Sequence, residues 1–252
     1  MIRSLALVAF LLQLPAAIAA DITVLSAGGI RPPLEELASQ FQRTTSHKVA
    51  LRFVGGATMK EELQKGAAFD VVVAEGNVID EFIKSGRIAA RSRADVARAG
   101  VGIGIRAGGA KPDIASVDAL RRALLDAKSI AYSKEGMAGQ HFVGLLERLG
   151  IANEVKPKLV ATVTNEPGRA TFDLVRRGEA ELGVAAIATV FTTGIDVVGP
   201  IPKELQRYID FAAATGTSAK EPQAAAAFVQ FITAPAAASV FKAKAMEPAA
   251  QR

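Results

Sequence analysis

Four turns hold the residues whose types and spacing could do chemistry. They are Ser26-Ala27-Gly28-Gly29, Gly55-Gly56-Ala57-Thr58, residues 133–139 and residues 165–169. Each follows an apolar run and opens a segment with helical spacing. A helix start presents unpaired amide donors and a partial positive charge, which favours an anion. Small residues let a ligand approach that backbone. In open α/β sheets, ligands sit beyond the carboxyl ends of the strands. Capping alone explains any single turn of this kind. Four of them, two from each half of the chain, could converge on one site. The residues they would bring to a ligand are Ser26, Gly28, Gly29, Gly56, Ala57, Thr58, Ser133, Met137, Ala138, Gly168 and Arg169.

Titratable residues near these turns add a few options. Arg169 stands at a helix start, where a cation does not stabilise the helix dipole. A guanidinium there could hold a carboxylate bidentately, or serve an external salt bridge. Arg31 invites the same argument. Glu75 follows the third apolar run and could face the cleft. His141 lies one turn into the helix after residues 133–139 and could act as donor or base. A histidine without a partner motif has no catalytic geometry of its own, so a half-buried structural role stands beside that reading. His47, in a polar turn after Thr44-Thr45-Ser46, is expected at the surface. The sequence has no P-loop, no G-x-S-x-G elbow and no His-rich metal pattern. It has no cysteine, which excludes thiol catalysis and cysteine–metal sites. No metal and no cofactor are expected.

The elements that must position these turns read as strands alternating with amphipathic helices. Residues 22–25 and 49–54 are expected strands, and residues 69–74 a nearly continuous apolar one, as where helices cover both sheet faces. Leu34, Leu37, Ala38 and Phe41 fall on one helix face after Pro32-Pro33, which suit a first turn. Met59 and Leu63 mark a helix stopped at Gly66. Val78, Ile79, Phe82 and Ile83 mark another over residues 77–85. The same grammar repeats from about residue 104. Ser116 caps a helix carrying Leu120 and Leu124. Strands are expected at 129–132, 159–163 and 182–187, with a short one at Val197-Val198 and an extended stretch at 207–215. Two helices, near 220–233 and 236–244, end the chain. Two βαβ halves of similar size imply an α/β fold of two lobes with mainly parallel sheets and a cleft between them.

The first twenty residues read as an export signal. Arg3 precedes an apolar run over residues 5–14, and Ala17-Ile18-Ala19 fits the small-x-small cleavage pattern. That run is too short to span a bilayer comfortably. Removing Arg3 changes the net charge from +5 to 29 − 25 = +4. The excess is mild, spread along the chain and without a basic block carrying interleaved aromatics, so nucleic-acid binding is disfavoured.

Ile22-Thr23-Val24-Leu25-Ser26-Ala27-Gly28-Gly29, Phe53-Val54-Gly55-Gly56-Ala57-Thr58, residues 66–73 and residues 176–183 resemble, in order and spacing, the type II periplasmic binding proteins of the molybdate-binding group. The resemblance covers essentially the whole chain after residue 20. It implies two Rossmann-like lobes joined by two crossing strands and closing like a hinge over a small anion. It also implies a periplasmic location, an ABC permease as partner and a monomer. Lobe 1 is expected over 21–103 plus 213–252, and lobe 2 over 104–212. Molybdate-binding members place serine hydroxyls in the first two turns and a tyrosine after the late strand of the second lobe. Gly29, then Gly56 and Ala57, and finally Ala186 stand at those positions here. The hydroxyl ligands of a compact tetrahedral oxyanion are thus mostly absent, and their loss is expected to enlarge the cavity. A bulkier organic carboxylate is the expected ligand. Residues 26–29, 111–120 and 129–133 are also similar to aconitate isomerase, a cofactor-independent enzyme on this fold. That similarity implies a base that moves a proton, for which His141 and Glu75 are the candidates.

Overall fold

The computed structural model describes residues 19–163 and 168–249. Residues 1–18, which carry most of the export-signal reading, lie outside the described residues, as do Asn165, Glu166 and Pro167 of the fourth turn.

In chain order the first elements are β1 Asp21–Ala27, α1 Arg31–Thr44, β2 Lys48–Val54, α2 Gly56–Lys65, β3 Val71–Glu75, α3 Gly76–Lys84 and β4 Ala94–Ala99. Next come β5 Val101–Arg106, α4 Val117–Asp126, β6 Ile130–Ser133, α5 Met137–Arg148, α6 Ala152–Val155, β7 Leu159–Thr162, α7 Arg169–Arg177, β8 Leu182–Ala186, α8 Ile187–Val190 and β9 Ile195–Pro200. The chain then returns through β10 Ile209–Thr215, α9 Pro222–Thr233, α10 Ala238–Ala243 and β11 Glu247–Pro248.

The local reasons are those of the sequence. Leu34, Leu37, Ala38 and Phe41 form the buried face of α1, and burying a Leu or Phe side chain stabilises by about 1.5–3 kcal/mol. Gly66 ends α2 in the left-handed conformation, at φ 83°. The Ser116 hydroxyl accepts from the Ala119 amide at 3.1 Å and caps α4. The start of α3 differs from expectation: Glu75 is its N-cap, and Asn77 is exposed inside the first turn. His47 also differs. It is half-buried, stacked on Phe41, with Nδ1 accepting from the Ala20 amide at 3.2 Å.

The strands form two sheets. One runs β11-β4-β10-β3-β1-β2 and the other β7-β6-β8-β5-β9. The two-lobed α/β architecture expected from the sequence is present. Each sheet is mixed. Parallel pairing joins β1 to β2 and β3, and β6 to β7 and β8. The strands that enter and leave the crossings, β4, β5 and β10, run against their neighbours. Strands β4, β5 and β11 were not separately legible in the sequence.

Gly100 alone separates β4 in the first sheet from β5 in the second. The return runs from the end of β9 at Pro200 to Ile209. Gln206, on that return, clasps the outgoing strand: its Oε1 accepts from the Val101 amide at 2.6 Å, and its Nε2 donates to the Val101 carbonyl at 3.0 Å. A Cβ on Gly100 would lie 2.7 Å from the Gln206 side-chain amide, so a larger residue there would displace that clasp.

Candidate functional site

The first three turns, and Gly168 of the fourth, reach one cleft between the two sheets. From the side of the first sheet it is lined by Ala27, Gly28 and Gly29 after β1, Val54 and Gly56 around the start of α2, Glu75 at the end of β3, and Ile209 and Phe211 on β10. The side of the second sheet supplies Ser133 and Glu135 to Gly139 after β6, Gly168 before α7, Val184 to Ala186 at the end of β8, and Thr189 on α8. The space between them is about 560 Å³, open solvent included.

Among the residues singled out in the sequence, Gly28, Gly29, Gly56, Glu75, Ser133, Met137, Ala138, Gly168 and Ala186 line this cleft. Ser26, Ala57, Thr58, Arg169 and His141 do not. Ser26 is fully buried within β1, its hydroxyl donating to the Ala27 carbonyl at 3.1 Å. Ala57 is exposed on α2, and Thr58 is half-buried beside it. Arg169 is exposed and lines an outer hollow with Arg31 and Arg176; that hollow adjoins the cleft through Gly28 and Thr189. His141 is half-buried, with Nε2 at 2.8 Å from the Leu205 carbonyl. A carbonyl only accepts, so this nitrogen carries the proton and is committed to holding the return segment against α5.

The missing side chains at Gly29 and Gly56 have opposite consequences. A Cβ on Gly29 would stand 3.0 Å from Cζ of Phe211 and 3.6 Å from the Ala186 Cβ. The aromatic ring fills the space that a side chain on residue 29 would need. A Cβ on Gly56 would meet nothing within 4 Å. A side chain would therefore find open space at Gly56 and the Phe211 ring in its way at Gly29. Gly168 has a separate reason to be glycine. Its φ is 85°, and a Cβ there would lie 2.9 Å from Oγ1 of Thr189. Thr189 in turn donates to the Ala186 carbonyl at 2.7 Å, tying the start of α8 to the end of β8.

Glu75 is the group in the cleft that stands out electrostatically. Its Oε2 is buried and has no hydrogen-bond partner. Burial raises its pKa above the ordinary carboxylate value, against a weaker pull downward from its own backbone amide and from Lys60. The other acidic residue among the described lining residues, Glu135, is exposed. Neither Lys nor Arg is among the described residues that line the cleft. An anion there would be held by backbone amides at the starts of helices. The Ser133 hydroxyl already accepts from the Gly136 amide at 3.1 Å, which shapes the turn before α5.

The sequence reading missed Val54, Ile209, Phe211 and Thr189. Val54 precedes the second turn and was legible as its strand's last residue. Ile209 and Phe211 were in a stretch read as extended, but nothing local told which sheet it joins.

The model of bacterial extracellular solute-binding proteins matches residues 22–247, almost the whole described chain. The chain belongs to that family. An aconitate isomerase of a Pseudomonas species is 30% identical over 233 residues, covering 90% of this chain and 87% of the relative. The molybdate-binding protein ModA of Azotobacter vinelandii is 31% identical over 232 residues, covering 90% of each. Among solved structures, the periplasmic molybdate-binding protein of Azotobacter vinelandii superposes with a TM-score of 0.76 at 20% identity, covering 92% of this chain and all of the other. L-phospholactate-bound PEB3 superposes with a TM-score of 0.66 at 17% identity, covering 90% of this chain and 99% of the other. At these identities the structural likenesses speak for the fold alone.

Proposed function

We propose that this chain is the periplasmic solute-binding component of an ABC importer and that it carries a small organic carboxylate. The carrying observation is the composition of the cleft. The backbone amide of the turn at Gly28 and the helix-start amides of Gly56 and Met137 suit a carboxylate, and Val54, Met137, Val184, Ile209 and Phe211 suit a carbon body. A compact tetrahedral oxyanion has no apolar part for those walls to cover. Gly29, Gly56 and Ala186 offer it no hydroxyl, and Phe211 occupies the space beside Gly29. The ligand's extra volume belongs beside Gly56. Ser26, Thr58 and Arg169 stand outside the lining, so the proposed contacts are Gly28, Gly29, Gly56, Ser133, Met137, Ala138, Gly168 and Ala186. The two crossings at Gly100 and at residues 201–208 are the proposed hinge, and a monomer suffices for closure over a ligand.

Thermal unfolding of the purified protein in a panel of mono-, di- and tricarboxylates, with molybdate and sulfate alongside, tests this reading. A carboxylate is expected to raise the midpoint in proportion to the logarithm of its concentration, with molybdate inert. Stabilisation by molybdate alone would overturn it.

Glu75 also favours a second reading, an isomerase that shifts a proton on an unsaturated carboxylate. A half-buried carboxyl with one oxygen shut off from solvent and its pKa raised can take and return a proton. Of the two candidate bases, only Glu75 lines the cleft. Turnover of cis-aconitate, followed by NMR and lost in Glu75→Gln, would support this reading. No conversion by a protein that binds cis-aconitate would remove it.

A further inference from the structure

Glu75 and Phe211 are direct partners in the antiparallel β3–β10 ladder, and both line the cleft. Opposed residues in a ladder present their side chains on one face. The cleft therefore has a polar group and an aromatic ring side by side on one wall. The ring is accounted for by the space beside Gly29, while the buried Oε2 of Glu75 has no partner in the fold. An ionised carboxylate in that position would be desolvated and would repel an incoming anion.

The charged groups around Glu75 do not neutralise it. Lys60, on α2, is held by Glu81 on α3 at 2.7 Å. The hollow on the other side of Glu75 contains Asp80 from α3, Arg93, and Arg207, Tyr208 and Asp210 from the return segment and β10. Arg93 is engaged by Asp80 at 2.7 Å and by Asp95 at 2.8 Å. Among the described residues that line the cleft, the other acid is Glu135, exposed after β6.

We propose that Glu75 meets the ligand as a neutral carboxylic acid and donates its proton in a hydrogen bond to the ligand's carboxylate, so that ligand binding is proton-linked. This rests on the carboxylate reading of the cleft. An acid-to-carboxylate hydrogen bond is short and strong. No covalent bond is made or broken; the proton stays on Glu75. A bound anion further favours the neutral acid, so the complex takes up a proton wherever free Glu75 is ionised. Affinity is then constant at low pH. It falls by up to about tenfold per pH unit above the pKa of Glu75 in the free protein.

The test is calorimetric titration of wild type and Glu75→Gln with L-lactate, succinate and cis-aconitate from about pH 5 to about pH 9, in buffers of different ionisation enthalpy. It is paired with a carbon-13 NMR titration of the Glu75 carboxyl in the free protein. The amide of Glu75→Gln is a weaker, non-titrating donor. The variant is expected to bind about fivefold more weakly than wild type at low pH, to show no proton uptake, and to lose none of its affinity at high pH. A wild-type affinity flat across the range, or a Glu75→Gln variant with the full wild-type pH dependence, would overturn the proposal and leave the carboxylate reading standing. If no carboxylate binds, that reading fails. The NMR titration then decides the state of Glu75 by itself: a carboxyl titrating in the ordinary range overturns the neutral acid, and a raised one upholds it.

Discussion

Gly29 and Gly56 lack the same atoms but have opposite surroundings, and that difference shapes the cleft. Open space at Gly56 means that a side chain there should enter the ligand's volume without disturbing the fold. Gly56→Leu is expected to leave stability within about 0.5 kcal/mol by chemical denaturation and to weaken carboxylate binding at least tenfold. Glu75 makes a second prediction, from linkage. Burial raises its pKa in the folded state, so the native protein holds that proton more tightly than the unfolded chain. Its contribution to stability is lost as pH rises from the unfolded pKa through the folded one. Glu75→Gln should therefore gain stability relative to wild type as pH rises, with the least gain below the unfolded pKa. Denaturant unfolding at several pH values checks this. The glycines of the cleft were legible because small residues sit between an apolar run and a helical period. Phe211 was not. Its place opposite Glu75 follows from register between strands about 130 residues apart, which no local pattern encodes.

Two polar side chains join elements distant in sequence. Asp70 is buried just before β3. Its carboxylate accepts from the amides of Thr23 at 2.8 Å, Lys220 at 2.7 Å and Glu221 at 3.1 Å, binding β1 to the approach of α9. Asp70→Ala would leave those donors without their charged acceptor. The expected loss is at least about 3 kcal/mol in denaturant unfolding, since hydrogen bonds to charged groups are worth about 1.5–3 kcal/mol each. Gln206 holds the two crossings together. Gln206→Ala should loosen that junction, raising hydrogen exchange at Val101 while the amides of β1 and β3 stay protected. Helices with a clear apolar period, such as α1 and α3, were plain in the sequence. Strand β4, Ala-Asp-Val-Ala-Arg-Ala, has too few large apolar residues to advertise itself. The two-residue β11 is defined only by its partner.

At the scale of the molecule, two mixed sheets joined by two crossings bring Gly28, the starts of α2 and α5, and Gly168 before α7 to one cleft. Alternating strands and helices made the two halves legible. The antiparallel share of each sheet was not, because it depends on where the chain crosses between lobes. Convergence of the turns explains how a cleft lined, among the described residues, by neither Lys nor Arg can hold an anion, with backbone donors and helix dipoles in place of side-chain charge. In the proposed reading, the apolar walls around Phe211 cover the carbon body of a carboxylate. Calorimetric titration of the purified protein with organic carboxylates and with molybdate, under identical conditions, is the most direct test. The account predicts saturable one-to-one binding of a carboxylate at least about a hundredfold tighter than molybdate, a margin of about 2.7 kcal/mol. Tight molybdate binding with no measurable carboxylate binding would contradict it.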